Sequence, residues 1–184
     1  MKIAITGHSA GIGQALTKVY KSKGHEIIGL SKRNGYNIRN LRKIVPMIEP
    51  CDMFISNAQE GYAQTELLFD VYEAWRGQSG KKIIIISTQM TSFPISVIPG
   101  HDMTKYHHQK VTLEEAYKQL LNNKDWPKLI LIKPGAVGTQ PNQQTPYPYA
   151  DVDSWAQTVV NILECAGPDM EVTELTLGVN YRDI

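Results

Sequence analysis

The chain has 184 residues, 42% of them hydrophobic and 20% charged, with a formal net charge of +1. That length suits one domain with a full core, and a near-neutral balance without blocks of like charge argues against a nucleic-acid partner or a membrane-surface patch. The longest apolar runs, such as residues 83–86, are far too short to span a bilayer.

The first residues read as a small buried strand over 2–5, with no secretory leader ahead of it. A helix follows over 14–20, where Ile12, Leu16, Val19 and Tyr20 recur at helical steps. Residues 25–30 read as a strand, 41–48 as a short helix ending before Pro50, and 53–56 as a buried strand. Residues 65–75 are amphipathic, with Leu68, Val71, Tyr72 and Trp75 on one side. A four-isoleucine strand spans 82–87, and a loop with Pro94, Pro99 and Gly100 leads to a helix over 104–121. Then come a strand over 129–132, a proline- and glutamine-rich loop or lid over 140–149, a helix over 151–163 and a last strand over 172–177. Alternating strands and helices predict an α/β fold: a Rossmann-type doubly wound parallel sheet, three layers deep, as a single domain over 1–184. Cys51 and Cys165 read as reduced thiols of a cytoplasmic protein. The five histidines show no metal-ligand spacing, so no metal is expected. The His107-His108 doublet reads as a helix surface.

The run Ile5-Thr6-Gly7-His8-Ser9-Ala10-Gly11-Ile12-Gly13 joins the first strand to the first helix. Its glycines permit a tight turn and close backbone approach, and the free amides at the helix start favour an anion, so a nucleotide phosphate is expected there. Ligands of such sheets lie at the carboxyl edge of the strands.

Tyr106 and Lys110 are spaced i, i+4 on the helix after the isoleucine strand, so they share a face with Leu113, Tyr117 and Leu120. That face packs on the sheet, with the pair at its amino-terminal end, toward the same crevice as the glycine turn. A free phenol has a pKa of about 10, and a neighbouring ammonium is expected to lower it. Tyr106 can then exchange a proton with a carbonyl or alcohol oxygen while hydride moves to or from a nicotinamide. Thr88 or Ser87, at the strand end, can orient that oxygen.

Five segments in this order resemble the short-chain dehydrogenase/reductase family, of the compact single-domain type. They are the turn Thr6-Gly7-x-x-x-Gly11-Ile12-Gly13, the strand Asp52-Met53-Phe54-Ile55-Ser56-Asn57-Ala58, the strand 83–88, the pair Tyr106-x-x-x-Lys110, and Pro134-Gly135-Ala136-Val137-Gly138-Thr139. The resemblance implies a dinucleotide held by Gly7, Ser9, Gly11, Ile12, Gly13, Asn57, Ala58, Gln59, Pro134, Gly135, Val137 and Thr139. It further implies Thr88 in the place of the catalytic serine, Lys110 as a clamp on the nicotinamide ribose, and a homodimer or homotetramer, here through the helices over 65–75 and 104–121. Several positions depart from the pattern. Ser56 and Gln59 replace an asparagine and a glycine, and the helical asparagine of the proton relay has no counterpart, with Gln64 nearby. The chain is short between Arg33 and Cys51, the separation of Thr88 from Tyr106 is long, and the segment after Thr139 is short.

Enzymes that read NAD place an acid at the end of the second strand. Here stand Ser31-Lys32-Arg33, and two cations suit a 2′-phosphate. NADP(H) is therefore the expected cofactor, with NAD the alternative. Asn37, beside Ile38, stands either for an adenine-contacting aspartate or for a turn residue. The expected activity is oxidoreduction of a small carbonyl or secondary alcohol. The departures leave open a non-catalytic dinucleotide-binding sensor or partner-binding protein on the same fold. The glycine spacing disfavours a nucleotide-sugar epimerase. Phe93, Ile95, Val97, Ile98, Tyr147 and Tyr149 line either an apolar entrance or a subunit contact, or serve as loop anchors.

Overall fold

The alternation of apolar side chains along each strand divides the core in two. Ala4, Phe54, Ile83, Ile85, Leu129 and Leu131 are buried in one cluster. Their neighbours Ile3, Ile5, Ile55, Ile84, Ile86, Ile130 and Ile132 are buried in another. Successive strand residues point to opposite faces, so a sheet with this pattern needs a layer of helices on each side.

The computed structural model describes residues 1–93, 102–121, 125–139, 148–165 and 170–178. In chain order the elements are β1 (Lys2–Thr6), α1 (Gly11–Ser22), β2 (Glu26–Leu30), α2 (Leu41–Ile48), β3 (Met53–Ser56), α3 (Ala63–Ala74), β4 (Lys82–Ile86), α4 (Thr104–Leu120), β5 (Lys128–Pro134), β6 (Val137–Gly138), β7 (Ala150–Asp151), α5 (Val152–Cys165) and β8 (Glu174–Leu177). Six strands form one parallel sheet in the order β2-β1-β3-β4-β5-β8. Helices α2, α3 and α4 cover one face, through Ile44, Leu68, Val71, Leu113 and Tyr117 among others. Helices α1 and α5 cover the other, through Leu16, Val19, Trp155 and Val159. The three-layer α/β arrangement expected from the sequence is present. No described helix is long and apolar enough to cross a membrane.

Two details differ from expectation. Strand β5 runs on to Pro134, because Pro134 still pairs with Leu177 of β8. The short parallel pair β6–β7, Val137 with Ala150 and Gly138 with Asp151, was not expected; it flanks the stretch 140–149, and Asp151, expected to open the last helix, lies in it. The standard doubly wound order carries a further strand outside β2; here only a 3₁₀ turn and α2 fill the chain between β2 and β3. The strand order reverses between β1 and β3, and a crevice opens beyond their carboxyl ends.

Candidate functional site

The ends of β1 and β3 are tied together by one hydroxyl. Thr6 Oγ1 donates to the Ile55 carbonyl at 3.4 Å and accepts from the amides of Asn57 at 3.0 Å and Ala58 at 3.1 Å. Asn57 Nδ2 returns a bond to the Thr6 carbonyl at 3.1 Å. The amide side chain of Asn57 thereby occupies the space a side chain would need at Gly7 and Gly13: a Cβ on Gly7 would stand 2.8 Å from Asn57 Nδ2, and one on Gly13 would overlap the Gly7 carbonyl oxygen. Gly7 and Gly11 also have positive φ, 69° and 52°, where only glycine is unstrained. Ala10, the residue before α1, provides no side-chain cap. The first amides of α1 are therefore available to an anion.

A cavity of about 340 Å³ adjoins this turn. Its walls are Gly7, Ser9 and Ala10 after β1, Ser31, Lys32 and Arg33 after β2, Tyr36 and Ile38 beyond them, and Ala58, Gln59 and Glu60 after β3. Asn37 is not part of that lining. Its Oδ1 accepts from the Arg39 amide at 2.9 Å, the bond of a turn residue. Ser31 is likewise engaged, its hydroxyl donating to Asn34 Oδ1 at 3.2 Å. Gln59, where a glycine was expected, sends its amide into a hydrogen bond with Gln109 of α4.

The proline–glycine segment reaches the turn from the far side. A Cβ on Gly11 would lie 3.1 Å from Thr139 Cβ, and Gly11, Gly138 and Thr139 share a second cavity of about 270 Å³. Val137 packs against the α1/α5 core together with Ile12. Gly135 donates to the Leu177 carbonyl at 2.7 Å, and a Cβ there would stand 2.8 Å from Gln89 Oε1.

Tyr106, Lys110, Gln64 and Thr88 meet at the end of β4. Lys110 is 3% exposed. Its Nζ donates to Gln64 Oε1 and to the Ile86 carbonyl, each at 2.9 Å. Gln64 Nε2 donates to the carbonyls of Ser56 at 2.8 Å and Ile86 at 3.2 Å, bridging the ends of β3 and β4. The Tyr106 hydroxyl lies beside the Thr88 side chain, which acts on the phenol, and Thr88 Oγ1 caps the following 3₁₀ turn by accepting from Met90 N at 3.3 Å.

Three sequence expectations are corrected here. Ser87 does not share the site with Thr88: its hydroxyl donates to Glu114 Oε1 on the opposite side of the extended backbone. Lys110 does not lower the Tyr106 phenol. Its Nζ lies over the ring, 5.8 Å from the centroid, burial pushes the phenol above its ordinary value, and the Thr88 side chain opposes this. Burial also brings the Lys110 ammonium down to about 8, with Glu114 pulling the other way. Finally, His108 is exposed, but His107 is half-buried, and neither of its ring nitrogens has a hydrogen-bond partner among the described residues. Phe93 is exposed, and Tyr149 lays its ring on Gly138. Ile95, Val97, Ile98 and Tyr147 lie outside the described residues.

Behind the strand end lies a polar group that the sequence reading missed. Glu114, 6% exposed, receives the Ser87 hydroxyl, the Thr91 hydroxyl at 2.7 Å and Lys133 Nζ at 3.1 Å. Its i, i+4 relation to Lys110 was the available signal. Removing Glu114 takes away the nearer and more buried of the two carboxylates beside Lys133, leaving Glu174 Oε1 at 3.8 Å. Glu114→Ala is expected to lower the unfolding free energy in urea by about 3–5 kcal/mol, and Glu114→Gln, which keeps an acceptor for both hydroxyls, by less. A loss under about 1 kcal/mol for Glu114→Ala would contradict this account.

No family model matches the chain, and no curated protein matches it. Solved structures do. It is similar to an NADPH-dependent 3-quinuclidinone reductase from Rhodotorula rubra, with a TM-score of 0.78 at 15% identity over 100% of this chain and 91% of that one. A short-chain dehydrogenase/reductase from Vibrio parahaemolyticus gives a TM-score of 0.73 at 15% identity over 97% and 99% of the two chains. A 3-alpha-hydroxysteroid dehydrogenase from Pseudomonas sp. B-0831, complexed with NADH, gives 0.63 at 19% identity over 97% and 95%. The chain has the fold of the short-chain dehydrogenases/reductases.

Proposed function

We propose that the chain is a short-chain dehydrogenase/reductase, an NADP(H)-dependent oxidoreductase acting on a small carbonyl or secondary alcohol. The observation that carries this reading is the group at the end of β4: a half-buried phenol beside Thr88, with a buried ammonium across its ring. It stands on the same sheet edge as a glycine turn built for an anion.

The residues fit a dinucleotide. The amides of 11–13 would receive the pyrophosphate, with Thr139 beside it, and Ala58 and Ile38, which line the 340 Å³ cavity, would flank the adenosine end. Ser31, Lys32 and Arg33 line the same cavity and would face the adenosine ribose, where the cations favour a 2′-phosphate. When bound, the nicotinamide supplies or accepts the hydride. Tyr106 holds the proton for the substrate oxygen, and Thr88 Oγ1 fixes that oxygen by a hydrogen bond. An ammonium has three N–H donors; two of those on Lys110 are spent on Gln64 and Ile86, which leaves one for a ribose hydroxyl. Burial of Tyr106 favours the protonated phenol, the form required for carbonyl reduction. The protein is proposed to act in the cytoplasm as one domain.

Tyr106→Phe is expected to retain NADPH binding and to lose about 10²–10⁴-fold in kcat for an accepted carbonyl, followed by nicotinamide absorbance. Unchanged turnover would refute the role. The rate of the unmodified chain is expected to fall as pH rises through about 8, where Lys110 loses its proton. A profile flat to well above that pH would contradict the assignment of Lys110. Binding without turnover across a broad carbonyl screen would favour the non-catalytic sensor.

Tyr62 and Phe69, beside and on α3, and Val111 and Leu121, on and after α4, are exposed large apolar side chains, and they support self-association through these helices. Light scattering at working concentration is expected to give a dimer or tetramer; a monomer would contradict this.

A further inference from the structure

The cations proposed to read a 2′-phosphate are not equivalent. Lys32 is ion-paired with Glu60, and Arg39 Nε lies 3.4 Å from the other oxygen of the same carboxylate. Glu60 and Lys32 both line the 340 Å³ cavity, Glu60 from the segment after β3 and Lys32 from the segment after β2. The Glu60 side chain is 21% exposed, while those of Lys32 and Arg39 are 63% and 65% exposed, so the carboxylate is the fixed centre on which the two longer side chains converge. Its two cations hold Glu60 below the usual carboxylate range, so it is charged at neutral pH. Arg33 lines the same cavity and makes a hydrogen bond from Nη1 to the Ser9 carbonyl at 3.3 Å, with no carboxylate partner among the described residues.

We infer that Glu60 sets the cofactor selectivity of this chain, an inference that rests on the dinucleotide reading above. A 2′-phosphate and the Glu60 carboxylate, both in this cavity, compete for Lys32, and like charges in one cavity repel. Arg33 is then the cation that meets the phosphate at no cost to an existing pair. Glu60 thus limits the preference for NADP(H) over NAD(H) from the segment after β3, in a position unrelated to the second-strand acid that reads a ribose hydroxyl.

The test is the dissociation constants of NADPH and NADH for the unmodified chain, Glu60→Gln and Glu60→Gln/Lys32→Met. Exposed ion pairs are each worth up to about 1 kcal/mol, so Glu60→Gln is expected to tighten NADPH roughly fivefold and to move NADH by less than about twofold. Lys32→Met is expected to cost more NADPH affinity in the Glu60→Gln chain than in the unmodified one, since only there is Lys32 released to the phosphate. Unchanged or weaker NADPH binding by Glu60→Gln overturns the inference while leaving the dinucleotide reading intact. A selective loss of NADH affinity overturns it too, because Glu60 would then be reading a ribose hydroxyl. If the unmodified chain binds neither nucleotide, or binds NADH more tightly, the NADP(H) reading fails and the inference fails with it.

Discussion

The carboxyl edge of the sheet depends on how closely Gly7 and Gly13 approach one another. No side chain fits at Gly13 without striking the Gly7 carbonyl oxygen, and Asn57 fills the remaining space. That contact fixes where α1 begins relative to β1, and so where its uncapped amides point. The Thr6 hydroxyl extends the same constraint to β3 by holding the Asn57 and Ala58 amides. One wall of the nucleotide cleft is thereby attached to the other, at the place where the strand order reverses.

From there the order passes to the reactive end by backbone carbonyls rather than by charge. Gln64 spans the carbonyls of Ser56 and Ile86 and presents its oxygen to Lys110. A buried ammonium is costly unless its donors are met, and here two carbonyl oxygens meet two of them. The hydroxyls of Ser87 and Thr91 lock the turn after β4 onto Glu114, which leaves Thr88 turned toward Tyr106. The polar residues on the two sides of that strand end thus do different work: one side stabilises the turn, and the other faces the cleft.

The layers were legible because hydrophobic periodicity is local: alternating isoleucines in 83–86 need two covered faces, and the i, i+4 step puts Tyr106 and Lys110 together in any helix. The turn at Gly7 was legible because few residues besides glycine accept its backbone angles. Ser87 and Thr88 could not be separated by type alone, since either hydroxyl can serve; the direction of an extended backbone at the strand end separates them. Glu60 with Lys32, Gln59 with Gln109 and Glu114 with Lys133 pair residues far apart in the chain, and no local pattern encodes such meetings. The pKa expectation for Tyr106 failed for a related reason: spacing gives proximity, but burial decides the sign.

The most direct measurement is a crystal structure of the chain with NADP⁺. The account predicts pyrophosphate on the amides at the start of α1, a 2′-phosphate beside Arg33, and the nicotinamide turned toward the Tyr106 hydroxyl. A nucleotide seated elsewhere, or a nicotinamide remote from the Tyr106 hydroxyl, would contradict it.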